Sequence, residues 1–321
     1  MDTDPLTRIV PAVRVDDRVT IRYRLDDGSA TDVVGWLTRL EAGMVEVASP
    51  GDRLTSVDRK RIILARRVPP ARGGRPPERW SVDELERAAA GGWIADNQPL
   101  GSWLLRSGGR FTNRANSCLA VGDPGMDYGE AAGMIIDFYT GLGLEPRAQV
   151  VAGSAPEQQL FDLGWRPTGI ETTVMATTLA GLIGGHRRDP EVRLDRELQD
   201  DWWQGYLEYR PIPDHDAARR LLTGPRPVAL AGIRRDGQVA SLGRGQVTDE
   251  WLGIAGLWTR PAHRRQGLAT KIIIELGHWA ARTGARNAYL QVETSNTGAV
   301  AAYQSLGFLP HHEYRYLRPA S

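Results

Sequence analysis

The segment around residue 265 combines small and basic residues in a pattern suited to a phosphorylated ligand. It follows an apolar stretch that ends near Thr259 and comprises Arg264, Arg265, Gln266, Gly267, Leu268, Ala269 and Thr270. From Leu268 to Trp279 apolar residues recur at helical spacing, which predicts a helix that begins near Gly267. The first turn of a helix has unpaired backbone N–H groups, and Gly267 lets an anion approach them closely. We therefore expect a pyrophosphate site where this strand, loop and helix meet.

The same residues resemble the signature of a known enzyme family. The run RRQGLA at 264–269 is similar to the R/Q-x-x-G-x-G/A pattern of the GNAT acetyltransferases, and it has neither the Walker A lysine nor the Rossmann glycine spacing. The preceding LWTRP resembles the exit of the fourth strand in that family. The resemblance implies that the backbone of Leu257, Trp258 and Thr259 pairs with the pantetheine arm of acetyl-CoA. It also implies that the amides of residues 265–270 hold the pyrophosphate.

A second segment with this resemblance lies further along the chain, in QVETSNTGAVAAYQSLGF at 291–308. The family has here an asparagine, then a helix that carries a tyrosine and ends in Gly-Phe. The resemblance implies that Asn296 contacts the pantetheine region and that Tyr303 is the general acid toward the coenzyme sulfur. A phenol with a pKa near 10 is protonated at neutral pH and can donate its proton.

The general base has a weaker signal than the general acid. Glu293 ends the predicted strand before Asn296 and is the carboxylate nearest the expected cleft, so we take it as the candidate base. Asp249 and Glu250 precede the predicted fourth strand and are alternatives. Each of these carboxylates could act through water, or could be a solvated charge at the end of a strand.

The sequence does not indicate a metal site. Cys118 is the only cysteine, which excludes an intrachain disulfide and a cluster of thiolate ligands. His263 lies in the loop expected to bind the anion. His311 and His312 are adjacent on a predicted strand, where neighbouring side chains point to opposite faces. We therefore expect these two histidines to lie on the surface, and we expect no metal cofactor.

An internal repeat organises the chain after residue 80. Each copy has a helix, a turn through Gly143 or Gly284, a buried strand, a helix that ends in Leu-Gly-aromatic and a final strand. This order predicts an α/β fold with two tandem GNAT-like lobes, built from mixed, mostly antiparallel sheets flanked by helices. We assign residues 80–185 to a degenerate lobe and 186–321 to the lobe that binds acetyl-CoA.

The first lobe departs from the family signature. Its loop at 121–133 contains Asp123, Asp127 and Glu130 and no arginine, and these carboxylates would repel a pyrophosphate. Its second helix has Phe161 and no tyrosine. We therefore expect one coenzyme site per chain, with the first lobe forming a wall of the acceptor cleft. The stretch at 109–117 is either a polar contact to the acceptor or a solvated hairpin.

The N-terminal residues have a different pattern, with short strands of alternating polarity between residues 13 and 68. We predict a small all-β barrel over 1–68 and a linker over 69–79, where proline, glycine and arginine predominate. The barrel resembles the SH3-like modules that precede some bacterial tandem GNAT proteins. The whole architecture is similar to a bacterial family whose members are sometimes labelled histone or protein acetyltransferases. Basic stretches at 59–61 and 66–67 leave open a protein or nucleic-acid partner, or only a solvated rim.

Composition narrows the function classes further. The net charge of +1 argues against an extended nucleic-acid surface, and no apolar run reaches the length of a membrane helix. We expect a cytoplasmic protein, without a membrane partner, and a pair of lobes in one chain favours a monomer. We predict an N-acetyltransferase that uses acetyl-CoA and an amine-bearing acceptor. The alternatives are a protein that binds or senses acetyl-CoA without catalysis, and a nucleic-acid-binding module with a vestigial enzyme lobe.

Overall fold

The computed structural model describes most of the chain, namely residues 4–9, 12–15, 17–49, 53–68, 75–93 and 95–320. Two β-sheets, with helices on the larger one, make up these ranges. Of the linker predicted at 69–79, residues 69–74 lie outside the described residues. Within the ranges given, no helix has the length and apolar character needed to cross a membrane.

The first sheet contains five strands: β1 (Arg18–Arg24), β2 (Ala30–Leu40), β3 (Met44–Ser49), β4 (Arg53–Asp58) and β5 (Ile62–Arg67). They are antiparallel, in the order β4-β3-β2-β1-β5. Alternate residues such as Val19, Ile21, Val45 and Val47 are fully buried in a separate small core. This alternation is the period-2 pattern that the sequence showed, and it separates the core face from the solvent face.

The strand pairing does not close this sheet into the predicted barrel. A short turn at Arg59–Arg61 joins β4 to β5, but β5 pairs with β1 at the opposite edge of the sheet. No pairing between β4 and β5 occurs in the described residues, so both remain edge strands and the sheet is open. Short alternating strands predict a sheet with one buried face, but they do not determine whether its edges meet.

The second sheet contains the remaining strands, which are β6 (Asp96–Leu100), β7 (Trp103–Ser107), β8 (Cys118–Ala120), β9 (Ala148–Val151), β10 (Arg166–Thr178), β11 (Arg193–Asp195), β12 (Val228–Arg235), β13 (Gln238–Thr248), β14 (Trp251–Thr259), β15 (Asn287–Glu293) and β16 (Leu309–Arg318). The helices are α1 (Val82–Gly91), α2 (Tyr128–Gly141), α3 (Ala155–Asp162), α4 (Leu179–Ile183), α5 (Asp200–Tyr209), α6 (His215–Thr223), α7 (Leu268–Thr283) and α8 (Thr297–Ser305). The strand order is β11-β12-β13-β14-β15-β10-β16-β9-β8-β7-β6. The predicted α/β class with mixed sheets is confirmed.

Two halves of this sheet exchange their last strands. The parallel pairs β8–β9 and β14–β15 occupy corresponding places in the two halves. β10 comes from the first half but pairs with β15, and β16 comes from the second half but pairs with β9. β10 and β16 also pair with each other, so one continuous sheet joins the halves. Each half is therefore completed by a strand from the other, which the sequence pattern did not reveal.

The core of the second half lies between its strands and α7. Leu268, Ile272, Ile273 and Leu276, which formed the predicted apolar stripe, are almost completely buried there. Gly284, with a φ of 109°, ends α7 in the left-handed conformation that glycine adopts without steric cost. The buried stripe sets the rotation of α7 on the sheet, so its N-terminus lies at the open end of β14.

The side chain of His312 is buried, so the prediction that both adjacent histidines lie on the surface was wrong for His312, whereas His311 is half-buried. His312 pairs with Val174 and Pro310 with Met175, so His311 is the extra residue of a β-bulge. The bulge breaks the alternation of faces and brings the two Nδ1 atoms to 2.8 Å from each other. His311 Nε2 lies 3.2 Å from the carbonyl oxygen of Trp80.

His312 leads into a buried polar network below α1. Its Nε2 lies 2.7 Å from Oε1 of Glu86, and the two side chains are only 5% and 1% exposed. Oε2 of Glu86 accepts a hydrogen bond from Gln149, whose Oε1 accepts one from Arg106. The network connects α1, β16, β9 and β7, and thereby satisfies polar groups that would be costly to bury unpaired.

This network predicts a pH dependence of stability. Burial first, and the neighbouring His312 second, lower the pKa of His311 below its ordinary value of 6.5. Between pH 6.5 and the lower pKa of folded His311, the unfolded chain binds more protons than the folded chain. The contribution of His311 to the free energy of unfolding is therefore complete above pH 6.5 and is lost as the pH falls through the pKa of the folded state. We expect His311→Gln to flatten this acidic decline in urea unfolding. His263→Gln is the control, and parallel curves for His311→Gln and the wild type would contradict the prediction.

Candidate active site

A cleft opens where β14 separates from β15. The two strands pair in parallel from Trp251 and Asn287 as far as Ile254 and Leu290, and no pairing between them continues beyond that point in the described residues. β14 also bulges against β13, and Gly256 has a φ of +63°. The edge of β14 that faces β15 is therefore open over 255–259. Such an open edge can hydrogen-bond an extended ligand.

The loop that follows β14 delivers backbone amides to this cleft. Gly267 is the N-cap of α7 at a φ of +74°, and no side chain caps the helix. The first backbone bond of α7 runs from Lys271 N to Gly267 O, and the amides of residues 265–270 have no acceptor in the described chain. Nε of Arg264 donates to the carbonyl of Thr259, which holds the loop against the strand. Unpaired amides and the positive end of the helix dipole make this position attractive to anions.

The cleft has a volume of about 710 Å³. Ten of the eleven residues expected to bind the coenzyme line it, namely Leu257, Trp258, Thr259, Arg264, Arg265, Gly267, Leu268, Ala269, Thr270 and Asn296. The other, Gln266, is exposed and its side chain turns toward the carbonyl of Ala262. His263, Gly298, Ala301 and Ala302 also line the cleft. The structure thus brings the two segments of the family signature to one cavity.

Asn296 has two roles available to its side chain. Its Oδ1 accepts from the amide of Ala299 and so caps α8, while its Nδ2 makes no hydrogen bond within the described residues. The residue is exposed on the wall of the cleft. The N-cap contact therefore leaves the Nδ2 donors of Asn296 available at the wall of the cleft.

Tyr303 lies on α8, partly buried against the core of the second half, with its ring 6.3 Å from that of Phe308. Burial, with a smaller effect of Tyr209, raises the pKa of Tyr303 to about 12. Its hydroxyl has no hydrogen-bond partner in the described chain, so the phenol is protonated and its proton is uncommitted.

Glu293 is placed differently from the coenzyme residues. It is exposed at the end of β15, opposite Thr172 of β10, and it does not line the cleft. Glu250 forms an ion pair with Arg286 at the other end of the β14–β15 pair, which removes it from the cleft. Of the carboxylates considered as the base, Glu293 is the one that lies at the open end of β14 and β15.

Two residues of α5 that sequence reasoning missed complete the wall. Tyr209 lines the cleft, and Tyr206 packs so closely on the bulge that a Cβ at Gly256 would lie 3.0 Å from its ring. The two rings are 5.7 Å apart. Their spacing of three residues places them on one face of a helix, which was the only signal in the sequence.

The first half has a pocket in the corresponding place but fills its anion site with its own side chain. The pocket, about 540 Å³, lies at the ends of β8 and β9. Oδ1 of Asp127 caps α2 by accepting from the amides of Gly129 and Glu130. A carboxylate thus occupies the position that Gly267 leaves open at α7.

The described residues contain no group of three or more histidine, cysteine, aspartate or glutamate side chains that could hold a metal ion.

Comparison with known proteins identifies the family of the chain. Residues 81–317 match the family described as "Probable histone acetyltransferase Rv0428c C-terminal". The "Uncharacterized N-acetyltransferase YobR" of Bacillus subtilis is 27% identical over 246 residues, 73% of this chain and 97% of that protein. The "Probable histone acetyltransferase Rv0428c" of Mycobacterium tuberculosis is 26% identical over 314 residues, 94% of each chain.

A solved structure has the same fold. The GCN5-related N-acetyltransferase from Kribbella flavida aligns with a TM-score of 0.57 at 18% identity, over 74% of this chain and 95% of that one. The family match covers most of the chain, and the fold agrees with it. The chain belongs to the Rv0428c acetyltransferase family and is an N-acetyltransferase of the GNAT superfamily.

Proposed function

We propose that the enzyme transfers the acetyl group of acetyl-CoA to an amine by direct attack, in the cleft between β14 and β15. The observation that carries this proposal is the set of unpaired amides at residues 265–270, which opens onto the 710 Å³ cavity. A Cβ at Gly267 would meet nothing within 4 Å, so there is room for a pyrophosphate against the backbone. No other position in the described second half combines an uncapped helix N-terminus with a cleft of this size.

The coenzyme would lie along two walls of the cleft. The open backbone edge of Leu257, Trp258 and Thr259 would pair with the pantetheine arm, and the free Nδ2 of Asn296 would contact it from α8. Acetyl-CoA would supply the thioester. A backbone amide near the Gly256 bulge would stabilise negative charge on the carbonyl oxygen, because such donors are already oriented.

Tyr303 would donate its proton to the departing sulfur. Its hydroxyl makes no competing hydrogen bond in the described residues, and its pKa of about 12 keeps it protonated at neutral pH. Glu293 would accept the amine proton through water, because it lies at the open end of β15 outside the lining of the cleft. Tyr209 would help to position the acceptor between α5 and α8.

We further propose a tandem arrangement in which only the second lobe, 186–321, binds the coenzyme. The first lobe, 80–185, has its helix N-terminus capped by Asp127 and serves as a structural half. The residues before 68 would form an SH3-like module, opened at one side, with a protein as its partner. The boundaries of these domains and the monomeric state stay predictions.

Calorimetry and a turnover assay together test the function. We expect acetyl-CoA to bind the purified protein with one site per chain, and free thiol to appear when an accepting amine from a panel of small amines, peptides and basic proteins is added. The first-half variant Asp127→Ala is the control, and it should leave the stoichiometry at one. Absence of acetyl-CoA binding to the wild type would contradict the proposal.

A further inference from the structure

A further cavity lies where the first sheet meets the second half. It has a volume of about 520 Å³ and is formed by the segment before β1, the end of β5, the loop after α4 and the middle of α7. Its lining residues are Ala12, Arg14, Val15, Asp17, Arg67, His186, Arg187, Arg188 and His278. None of them lines the cleft at β14. Four arginines and two histidines among nine residues make this cavity strongly basic.

The two parts of the chain that form the cavity are held together by the protein itself. Trp36 of β2 is 7% exposed and belongs to the same hydrophobic core as Leu182 and Ile183 of α4, although its strand is in the first sheet. The loop after α4 is tied to α7, where Nε2 of His278 lies 3.1 Å from the carbonyl oxygen of His186. The walls of the cavity are therefore positioned by apolar packing and hydrogen bonding within the chain.

Two of the four arginines have a carboxylate partner in the protein. Nη2 of Arg67 donates to Asp17 at 2.8 Å, and Asp17 also accepts from the backbone amide of Arg14. Nε of Arg188 donates to Glu275, a carboxylate on α7 whose side chain is 1% exposed. Asp17 and Glu275 are thus each engaged by an arginine of the cavity.

The other two arginines, Arg14 and Arg187, have no such partner. Their side chains are exposed, and neither forms a hydrogen bond or ion pair with another described residue. Four arginines against Asp17 and Glu275 leave two positive charges in excess, even with both histidines neutral. Like charges held around one cavity repel each other, and a cavity lined by one sign of charge concentrates ions of the opposite sign. A bound anion would relieve this repulsion.

We propose that this cavity binds a small molecule with two or more phosphate groups, which bridges the first sheet and the second half. Arg14 and Arg187 come from these two parts of the chain, so an anion that satisfies both needs more than one charged group. The planar guanidinium matches phosphate oxygens in bidentate pairs. Val15, 47% exposed in the lining, offers an apolar contact to the rest of the molecule.

The size of the cavity indicates what kind of phosphate compound fits. Pockets of about 300–1,000 Å³ hold small molecules, and a volume of about 520 Å³ lies within that range. This favours a nucleotide or a short inorganic polyphosphate over an extended nucleic acid. Because the cavity shares no lining residue with the cleft at β14, the inference goes beyond the proposed function.

Calorimetry with tripolyphosphate, ATP and inorganic phosphate, in buffer without divalent cations, tests the inference. We expect tripolyphosphate and ATP to bind this cavity with one site per chain and about tenfold more tightly than inorganic phosphate, since they can engage a second arginine. Tighter binding of ATP than of tripolyphosphate would identify a nucleotide as the ligand, and equal binding an inorganic polyphosphate. The titrations are repeated with Gly267→Asp, because the amides before α7 also attract phosphates, and the site should persist there.

Arg14→Gln and Arg187→Gln are the test variants, because each removes a positive charge from an exposed side chain without a partner in the described chain. We expect each to weaken tripolyphosphate binding by about tenfold, the loss of one charged hydrogen bond. Arg66→Gln is the matched control. Arg66 is exposed beside Arg67 on β5 but does not line the cavity, because successive strand residues point to opposite faces. Its affinity should stay close to that of the wild type.

Thermal unfolding shows whether each variant is folded, and tripolyphosphate should raise the unfolding midpoint of the wild type. The inference would be overturned if neither tripolyphosphate nor ATP bound, if their binding disappeared in Gly267→Asp, or if Arg66→Gln weakened it as much as Arg187→Gln. Binding of a single-stranded RNA without binding of either phosphate compound would also overturn it. Failure of the wild type to bind acetyl-CoA would contradict the proposed function and leave this inference standing.

Discussion

Gly267→Asp is expected to weaken acetyl-CoA binding by at least a hundredfold. The new carboxylate would cap α7 and accept from the amides that otherwise point into the cleft, as Asp127 does at α2. It would also repel the pyrophosphate. Each hydrogen bond to a charged group contributes about 1.5–3 kcal/mol, so losing two of them corresponds to roughly a hundredfold or more in affinity. Calorimetry with acetyl-CoA measures the change directly.

Gly267→Ala separates the charge from the backbone strain. Both substitutions place a side chain at a φ of +74°, which costs about 1–2 kcal/mol of stability, but the added methyl group meets nothing within 4 Å. We expect Gly267→Ala to lower the unfolding midpoint as Gly267→Asp does and to retain most of the affinity. Equal losses of affinity in the two variants would mean that strain in the loop, and not the blocked amides, is responsible.

Tyr303→Phe is expected to lower kcat by about a hundredfold and to leave KM for acetyl-CoA nearly unchanged. The phenol would act on the departing sulfur, so its loss affects the transition state more than ground-state binding, and general acids contribute about 10²–10⁴ in rate. With a pKa of about 12, Tyr303 stays protonated over the usual assay range. The proton it supplies would be lost only as the pH rises toward 12.

Tyr209→Phe is the decisive comparison for this assignment. Tyr209 lines the cleft from α5, whereas Tyr303 on α8 is not one of its lining residues. Tyr209 also raises the pKa of Tyr303, so it is the other phenol that could serve the sulfur. We expect Tyr209→Phe to change KM for the acceptor and to keep kcat within a few-fold of the wild type. A hundredfold loss of kcat in Tyr209→Phe, with little change in Tyr303→Phe, would transfer the role to Tyr209.

Much of the candidate cofactor cleft could be predicted from the sequence because its parts are local. The strand, the loop around Gly267 and the helix after it are consecutive, and helical spacing of apolar residues determines which face of α7 is buried. Asn296 and Tyr303 are in the same way parts of one short helix and its cap. Residues this close along the chain keep their relative positions whatever the rest of the fold does.

The features that the sequence did not predict all depend on contacts between segments that are far apart in the chain. The bulge at His311, which brings the two histidine rings together, depends on the register in which β16 pairs with β10, and the side chain of His312 is buried beside Glu86. The first sheet stays open because β5 pairs with β1. Tyr206 and Tyr209 reach the Gly256 bulge and the cleft wall only because α5 packs beside β14. The contact between Phe111 and Tyr206 likewise joins segments that are far apart in the chain.

Taken alone, the sequence determined the fold class, the anion loop and the chemistry of the candidate general acid. The tertiary structure decided how the two halves share strands, where the histidines lie and which residues of α5 line the cleft. The physical reason is that backbone propensity and amphipathic spacing act over a few residues, whereas strand register and packing between halves are set by burial summed over the whole sheet. Hence the wall of the cleft formed by β14, the loop and α7 could be predicted from the sequence, and the wall formed by α5 emerged only from the folded chain.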